Sequence, residues 1–184
     1  MICRSAVPLA LLAVLCATPR AQDFGAVGPE WRVNQATSFS QEWGRVAMDD
    51  GGDRIAFVWE TGLNSDVRTR AFDGLGNAVT PETLVNAMTS TGNQDEPAIG
   101  MDNRGNYLAA WSDRAANDGF QMGIFARLYN FQGVALGDEF QVNVEWQESQ
   151  WEPLIDTLPD GSYVVVWSGR ANGDAFFRIF NPPG

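Results

Sequence analysis

Arg54-Ile-Ala-Phe-Val-Trp59 returns as Asn106-Tyr-Leu-Ala-Ala-Trp111 and again as Ser162-Tyr-Val-Val-Val-Trp167. Each copy is a short apolar run ending in Trp. Each follows a Gly/Asp turn: Asp50-Gly-Gly-Asp53, Asn103-Arg-Gly105 and Pro159-Asp-Gly161. The tryptophans lie 52 and 56 residues apart. A period in that range marks a repeat fold, and a propeller blade of four strands falls within it. Both parities of the run are apolar, with Ile55, Phe57 and Trp59 on one face and Ala56 and Val58 on the other. A strand apolar on both faces is covered on both, as in a blade held between neighbouring blades.

Other segments repeat around this run. Before it stand Gln41-Glu-Trp-Gly-Arg-Val46, Gln94-Asp-Glu-Pro-Ala-Ile99 and Gln150-Trp-Glu-Pro-Leu-Ile155. These read as loops entering a short first strand (46–48, 99–101, 155–158), with Gly44, Pro97 or Pro153 at the entry, where a missing ladder bond is tolerated. After it comes a polar loop (60–66, 112–122, 168–174), then a third strand ending Arg70-Ala-Phe72, Arg127-Leu-Tyr129 or Arg178-Ile-Phe180. The fourth element ends in Val-Asn at Val33-Asn34, Val85-Asn86 and Val142-Asn143, with Trp31, Leu84 or Phe140 just before. No helical period appears after the N-terminal segment.

The third copy stops at the turn before its fourth strand, and that strand stands alone near the N-terminus, at 26–33. The expected fold is therefore all-β: three four-stranded β-propeller-like blades of about 52–57 residues, the last completed by the N-terminal strand. The repeats are about 33–84, 85–141, and 142–184 plus 24–32, in one domain over 22–184. Such closure leaves no bare strand edge. Three blades are few for a propeller. They close alone, or two chains join as a homodimer into a six-blade ring, or the chain is part of a longer product. A β-helix or sandwich would not explain the permutation.

The order Val-Asn, Gln-x-x-Pro-x-Ile, Gly-x-Tyr-x-x-x-Trp, Arg-x-Phe, Gly resembles the propeller-like tandem repeats of large secreted bacterial surface proteins. Val85, Asn86, Gln94, Pro97, Ile99, Gly105, Tyr107, Trp111, Arg127 and Tyr129 carry the pattern best. The resemblance implies an extracellular binding or scaffold module and no particular chemistry.

The first 21 residues read as a secretory signal: Arg4 is the basic start and 6–17 the apolar stretch, too short to span a membrane. Both cysteines, Cys3 and Cys16, fall there, so the exported chain holds no disulfide. Secretion into the periplasm or outside the cell is the expected localisation. All 12 basic residues are Arg, against 23 acidic residues, and the chain has no His. A net charge of −11 disfavours nucleic acid and anionic membrane surfaces.

The residue inventory closes most chemistry. Past the leader there is no His, Cys or Lys for a triad, a thiol nucleophile, a Schiff base or an ordinary zinc site. The expectation is a chain that is not an enzyme, with no cofactor. Were it an enzyme, a glycosidase is the class left open, needing two carboxyls about 5–5.5 or 6.5–9.5 Å apart. Asp49, Asp50, Asp53, Asp102, Asp160, Glu145, Glu148 and Glu152 are its candidates, although acids in β-turns commonly form the turn. Calcium is a weak alternative at Asp49, Asp53 and Asp102, which do not follow the alternating calcium-loop pattern. Arg70, Arg127 and Arg178 recur in register. They would form an anion-binding ring if they faced a channel, or pair with acids and stack on aromatics if they serve the scaffold. Trp43, Trp146 and Trp151 do not recur as Trp and stand beside amides and acids. They are a candidate stacking platform for a glycan, or else a cover for the core.

Overall fold

The computed structural model describes residues 28–62, 65–89, 91–169 and 172–181. The chain divides into Met1–Glu30 and Trp31–Gly184. Of the first unit, residues 28–30 are described and hold no helix or strand; the expected leader lies outside the described residues. Every strand among the described residues belongs to the second unit.

There are three antiparallel sheets and, among the described residues, no helix and no closed barrel. The first contains β1 (Gln41–Met48), β2 (Arg54–Thr61), β3 (Asp66–Asp73) and β4 (Thr83–Leu84), in that order. The second repeats it with β5 (Gln94–Met101), β6 (Tyr107–Asp113), β7 (Gly123–Tyr129) and β8 (Phe140–Gln141). The third holds β9 (Gln150–Thr157), β10 (Tyr163–Gly169) and β11 (Asp174–Phe180). The Trp stretches are the second strand of each sheet, as their two-faced apolarity requires.

Three expectations need correction. The first strands begin at Gln41, Gln94 and Gln150, so the segments expected as loops are already paired. The fourth strands are two residues long, supplemented by single bridges Phe72–Ala78 and Tyr129–Ala135. Finally, the third sheet has three strands, and residues 28–33 of the expected N-terminal strand form none, its residues 26–27 lying outside the described residues. The Val33 carbonyl instead accepts from Arg70 of the first sheet, at 2.8 Å.

Turn chemistry sets each hairpin. Asp102 Oδ1 accepts the backbone N–H of Arg104 and Asn106 at 2.8 and 2.9 Å. Gly105 follows at φ 82°, a left-handed geometry suited to glycine. A Cβ there would also meet Arg54 Cγ at 3.0 Å and Phe131 Cβ at 3.2 Å.

Two cores join the sheets. Ala56, Val58, Val67 and Ala71 of the first meet Ile99, Met101, Tyr107 and Trp111 of the second. Leu108, Ala110, Ile124 and Ala126 on the second sheet's other face meet Tyr163, Val165 and Trp167 of the third. Neither core joins the first sheet to the third. Every residue of β6 is buried, at about 1.5–3 kcal/mol for each large side chain. Packing is close enough that a Cβ on Gly100 would lie 2.5 Å from Ile155 Cγ2.

The Val-Asn hinges lock these joints. Asn86 Oδ1 accepts the Val67 N–H at 2.9 Å, and Asn143 Oδ1 accepts the Ile124 N–H at 2.9 Å. Each thus ties a third strand to the chain leaving its sheet. The next sheet's arginine holds the same hinge, since Arg127 donates to the Val85 carbonyl and Arg178 to that of Val142.

Candidate functional site

Each first strand carries a β-bulge at its third residue: Trp43, Glu96 and Glu152, all at φ 53°. A bulge re-aims its side chain, and a left-handed non-glycine residue there costs about 1 kcal/mol or more. Hydrogen bonds hold the conformation. The Glu152 N–H donates to Glu96 Oε2 at 2.9 Å and to Ser112 Oγ at 3.1 Å. Trp43 therefore sits in a strand and not a loop; it is exposed, with Arg45 over its ring at 5.7 Å.

Acids of the first two sheets meet near these bulges, with Glu60 close enough to Asp95 and Glu42 to feel their charge. Glu96 Oε2 accepts from Ser112 Oγ, and Arg114 pairs with Asp95 and, at 3.5 Å, with Glu96. Glu60 Oε2 and Asp95 Oδ1 are buried without partners. Burial raises both carboxyls above their ordinary values. Hydrogen bonds from Ser65 and the Glu96 N–H oppose this at Glu60, and Arg114 opposes it at Asp95. These residues were not legible as a group, because they follow Trp59 or open β5 at positions whose neighbours only folding reveals.

Beside the third sheet, an open pocket of about 590 Å³ lies between the loop leaving β6 and the segment entering β9. Phe120 and Trp151 give it aromatic walls; Gln121, Gln147, Glu148 and Ser149 give it polar ones. Asn172 and Gly173 complete the rim. Ser149 Oγ donates to Gln121 Oε1 at 2.6 Å, and the Gln150 N–H to the Met122 carbonyl at 2.8 Å, so the two walls are tied together. Asn143 fixes the base of the segment, donating to the Glu145 carbonyl at 2.8 Å and to Gln150 Oε1 at 2.9 Å. Glu145 and Glu148 line an adjoining pocket of about 330 Å³ with Gln147 and Gln150.

Of the three candidate tryptophans, Trp151 alone lines this pocket. Trp146 is about half exposed just before it and is not a lining residue, and Trp43 belongs to the first sheet. Phe120 and Gln121 were missed. Their signal was loop length, since 112–122 is longer than its counterparts 60–66 and 168–174.

The arginine set does scaffold work. Arg70 donates to the Thr80 and Val33 carbonyls, Arg127 to those of Gly137 and Val85, and Arg178 to that of Val142. They also lie over Phe72, Tyr129 and Phe180 at 5.0, 5.9 and 5.2 Å. This is the aromatic-stacking alternative, and it leaves the anion ring without support.

The turn acids are likewise engaged. Asp49 Oδ1 accepts the Arg54 N–H, Asp102 closes its own turn, and Asp160 Oδ1 accepts the Ser162 N–H. Asp49 and Asp53 line an open pocket with Arg54, Asp73 and Arg104, whereas Asp102 is buried outside it. Asp73 is held below the usual carboxylate range by hydrogen bonds from Asn77 and the Leu75 N–H. Among the described residues no group of three or more acids is placed to hold a metal ion.

No family model and no curated protein matches this chain. Among solved structures, it is similar to a Penicillium chrysogenum alpha-L-arabinanase complexed with arabinobiose, at 16% identity and a TM-score of 0.47. That match covers 71% of this chain and 42% of the other. A neuraminidase-like protein of A/little yellow-shouldered bat matches at 10% identity and a TM-score of 0.38, covering 79% of this chain and 45% of the other. The chain thus spans less than half the length of either. One is an arabinanase and the other a neuraminidase-like protein. With these two among the similar structures, the expectation that this chain is not an enzyme is withdrawn. At these identities and TM-scores the likeness carries no activity, substrate or site residue across.

Proposed function

We propose that this chain is a carbohydrate-binding protein acting outside the cytoplasm, with its saccharide site in the Phe120–Trp151 pocket. One observation carries the reading. Two aromatic rings and a set of amide, hydroxyl and carboxylate groups line a single open pocket whose walls are hydrogen-bonded to each other. A sugar ring presents an apolar face and a rim of hydroxyls. Trp and Phe suit the face; Gln121, Gln147, Glu148 and Asn172 suit the rim. The leader-like first 21 residues and the resemblance to repeats of secreted bacterial surface proteins support the extracellular setting. The calcium alternative gains no support, because Asp49 and Asp102 are committed to closing their turns.

A printed array of neutral and acidic glycans, probed with the full chain and with Trp151→Ala, tests this reading. Binding to at least one glycan, lost in Trp151→Ala, is the expected result; an array without signal refutes it. Glu145 and Glu148 line the adjoining pocket, so bound glycans are also analysed for cleavage.

A further inference from the structure

The joint between sheets has two halves, and among the described residues one unfinished half stands at each end of the stack. At the first joint, Thr83 and Leu84 pair backward with Thr69 and Arg68, Asn86 takes the Val67 N–H, and Arg127 of the next sheet grips the Val85 carbonyl. At the second, Phe140 and Gln141 pair backward with Ala126 and Phe125, Asn143 takes the Ile124 N–H, and Arg178 grips the Val142 carbonyl.

The stretch Trp31-Arg32-Val33-Asn34 makes only the forward half. Arg70 grips the Val33 carbonyl. Residues 31–34 pair with no strand, and the Asn34 side chain donates only to the Ala36 carbonyl. The third sheet lacks the matching half, because β11 has β10 on one side and no fourth strand among the described residues. The flanking faces are unfinished too. Val46 and Met48 are exposed where their equivalents Ile99 and Met101 are buried. Phe177 and Ile179 are 68% and 51% exposed, whereas Ala126 and Leu128 at the same repeat positions pack against the next sheet.

We propose that a second copy of this chain docks there, the third sheet of one copy seating on the first sheet of the other, with residues 31–32 supplying the fourth strand of the other copy's β11. A second copy is the occupant because one chain carries both complementary halves, and the contact continues an interface the fold already uses twice. The repeat fixes the register. Thr69–Thr83 and Ala126–Phe140 set Phe177 opposite Trp31. Val67 and Ile124 set the Ala175 N–H on Asn34 Oδ1. Two such joints related by a two-fold axis close a ring, leaving no open edge.

Two experiments on the full chain test the dimer. Light scattering is expected to give twice the mass of one chain, and Asn34→Ala to weaken association at least tenfold with the circular dichroism unchanged. With Cys3 and Cys16 replaced by Ser, a Trp31→Cys chain mixed with a Phe177→Cys chain is expected to form a mixed disulfide on mild oxidation. A one-chain mass at micromolar concentration, or no mixed disulfide between variants that retain the native spectrum, overturns the proposal.

Discussion

The Asn86 side-chain nitrogen donates to Gln94 Oε1 at 2.9 Å, and Asn143 repeats the bond to Gln150 at the same distance. One carboxamide thus serves two sheets: its oxygen caps the third strand behind, and its nitrogen holds the first strand ahead. Asn86→Ala would leave the buried Val67 N–H and Gln94 short of partners, at about 2–4 kcal/mol. Urea unfolding followed by Trp fluorescence checks this, as a lowered midpoint with an unchanged slope.

Arg127→Ala is expected to cost about 1–2 kcal/mol, from two hydrogen bonds to carbonyls and the contact with Tyr129. Glycan binding should not change, because the side chain lies outside the Phe120–Trp151 pocket. Lost binding in a variant of near-native stability would return this arginine to the ligand site.

Glu60 gives a pH-dependent test. Its carboxyl is raised from 4.5 mainly by burial, so folding favours the protonated form. The stabilisation is full below the unfolded value and is lost as pH rises through the higher folded value. Glu60→Gln is therefore expected to raise Tm by a few degrees at neutral pH, with the gain fading as the solution is acidified to about pH 4. A variant less stable than the parent at neutral pH contradicts this account.

Tyr129 stacks on Tyr107 at 4.8 Å, yet its buried hydroxyl has no hydrogen-bond partner. Burial holds that phenol above its ordinary value and pushes Tyr107 up to about 12. Phe72 and Phe180 occupy the same repeat position without a hydroxyl. Tyr129→Phe is expected to be neutral or to stabilise by about 1 kcal/mol, read by thermal unfolding.

The sequence made the sheets legible because their signals are local and repeated. Trp59, Trp111 and Trp167, the turn glycines and the Val-Asn hinges each recur at the repeat period. The Gln segments misled because a bulge hides pairing: a left-handed third residue and Gly44 or Pro97 look like a loop when read alone. The N-terminal stretch was expected to complete the third sheet, but residues 31–34 form no strand, and the Val33 carbonyl is held by Arg70 of the first sheet. The pocket was half legible. Trp151 stood out as a tryptophan outside the repeat, whereas Phe120 and Gln121 acquire meaning only when the longer loop folds against Ser149.

The most direct test of the saccharide site is isothermal titration of the array's strongest glycan into the parent chain, Phe120→Ala and Trp43→Ala. A site in the pocket predicts at least tenfold weaker binding for Phe120→Ala, about 1.4 kcal/mol, with Trp43→Ala unchanged. Unchanged affinity in Phe120→Ala, or a loss confined to Trp43→Ala, would contradict it.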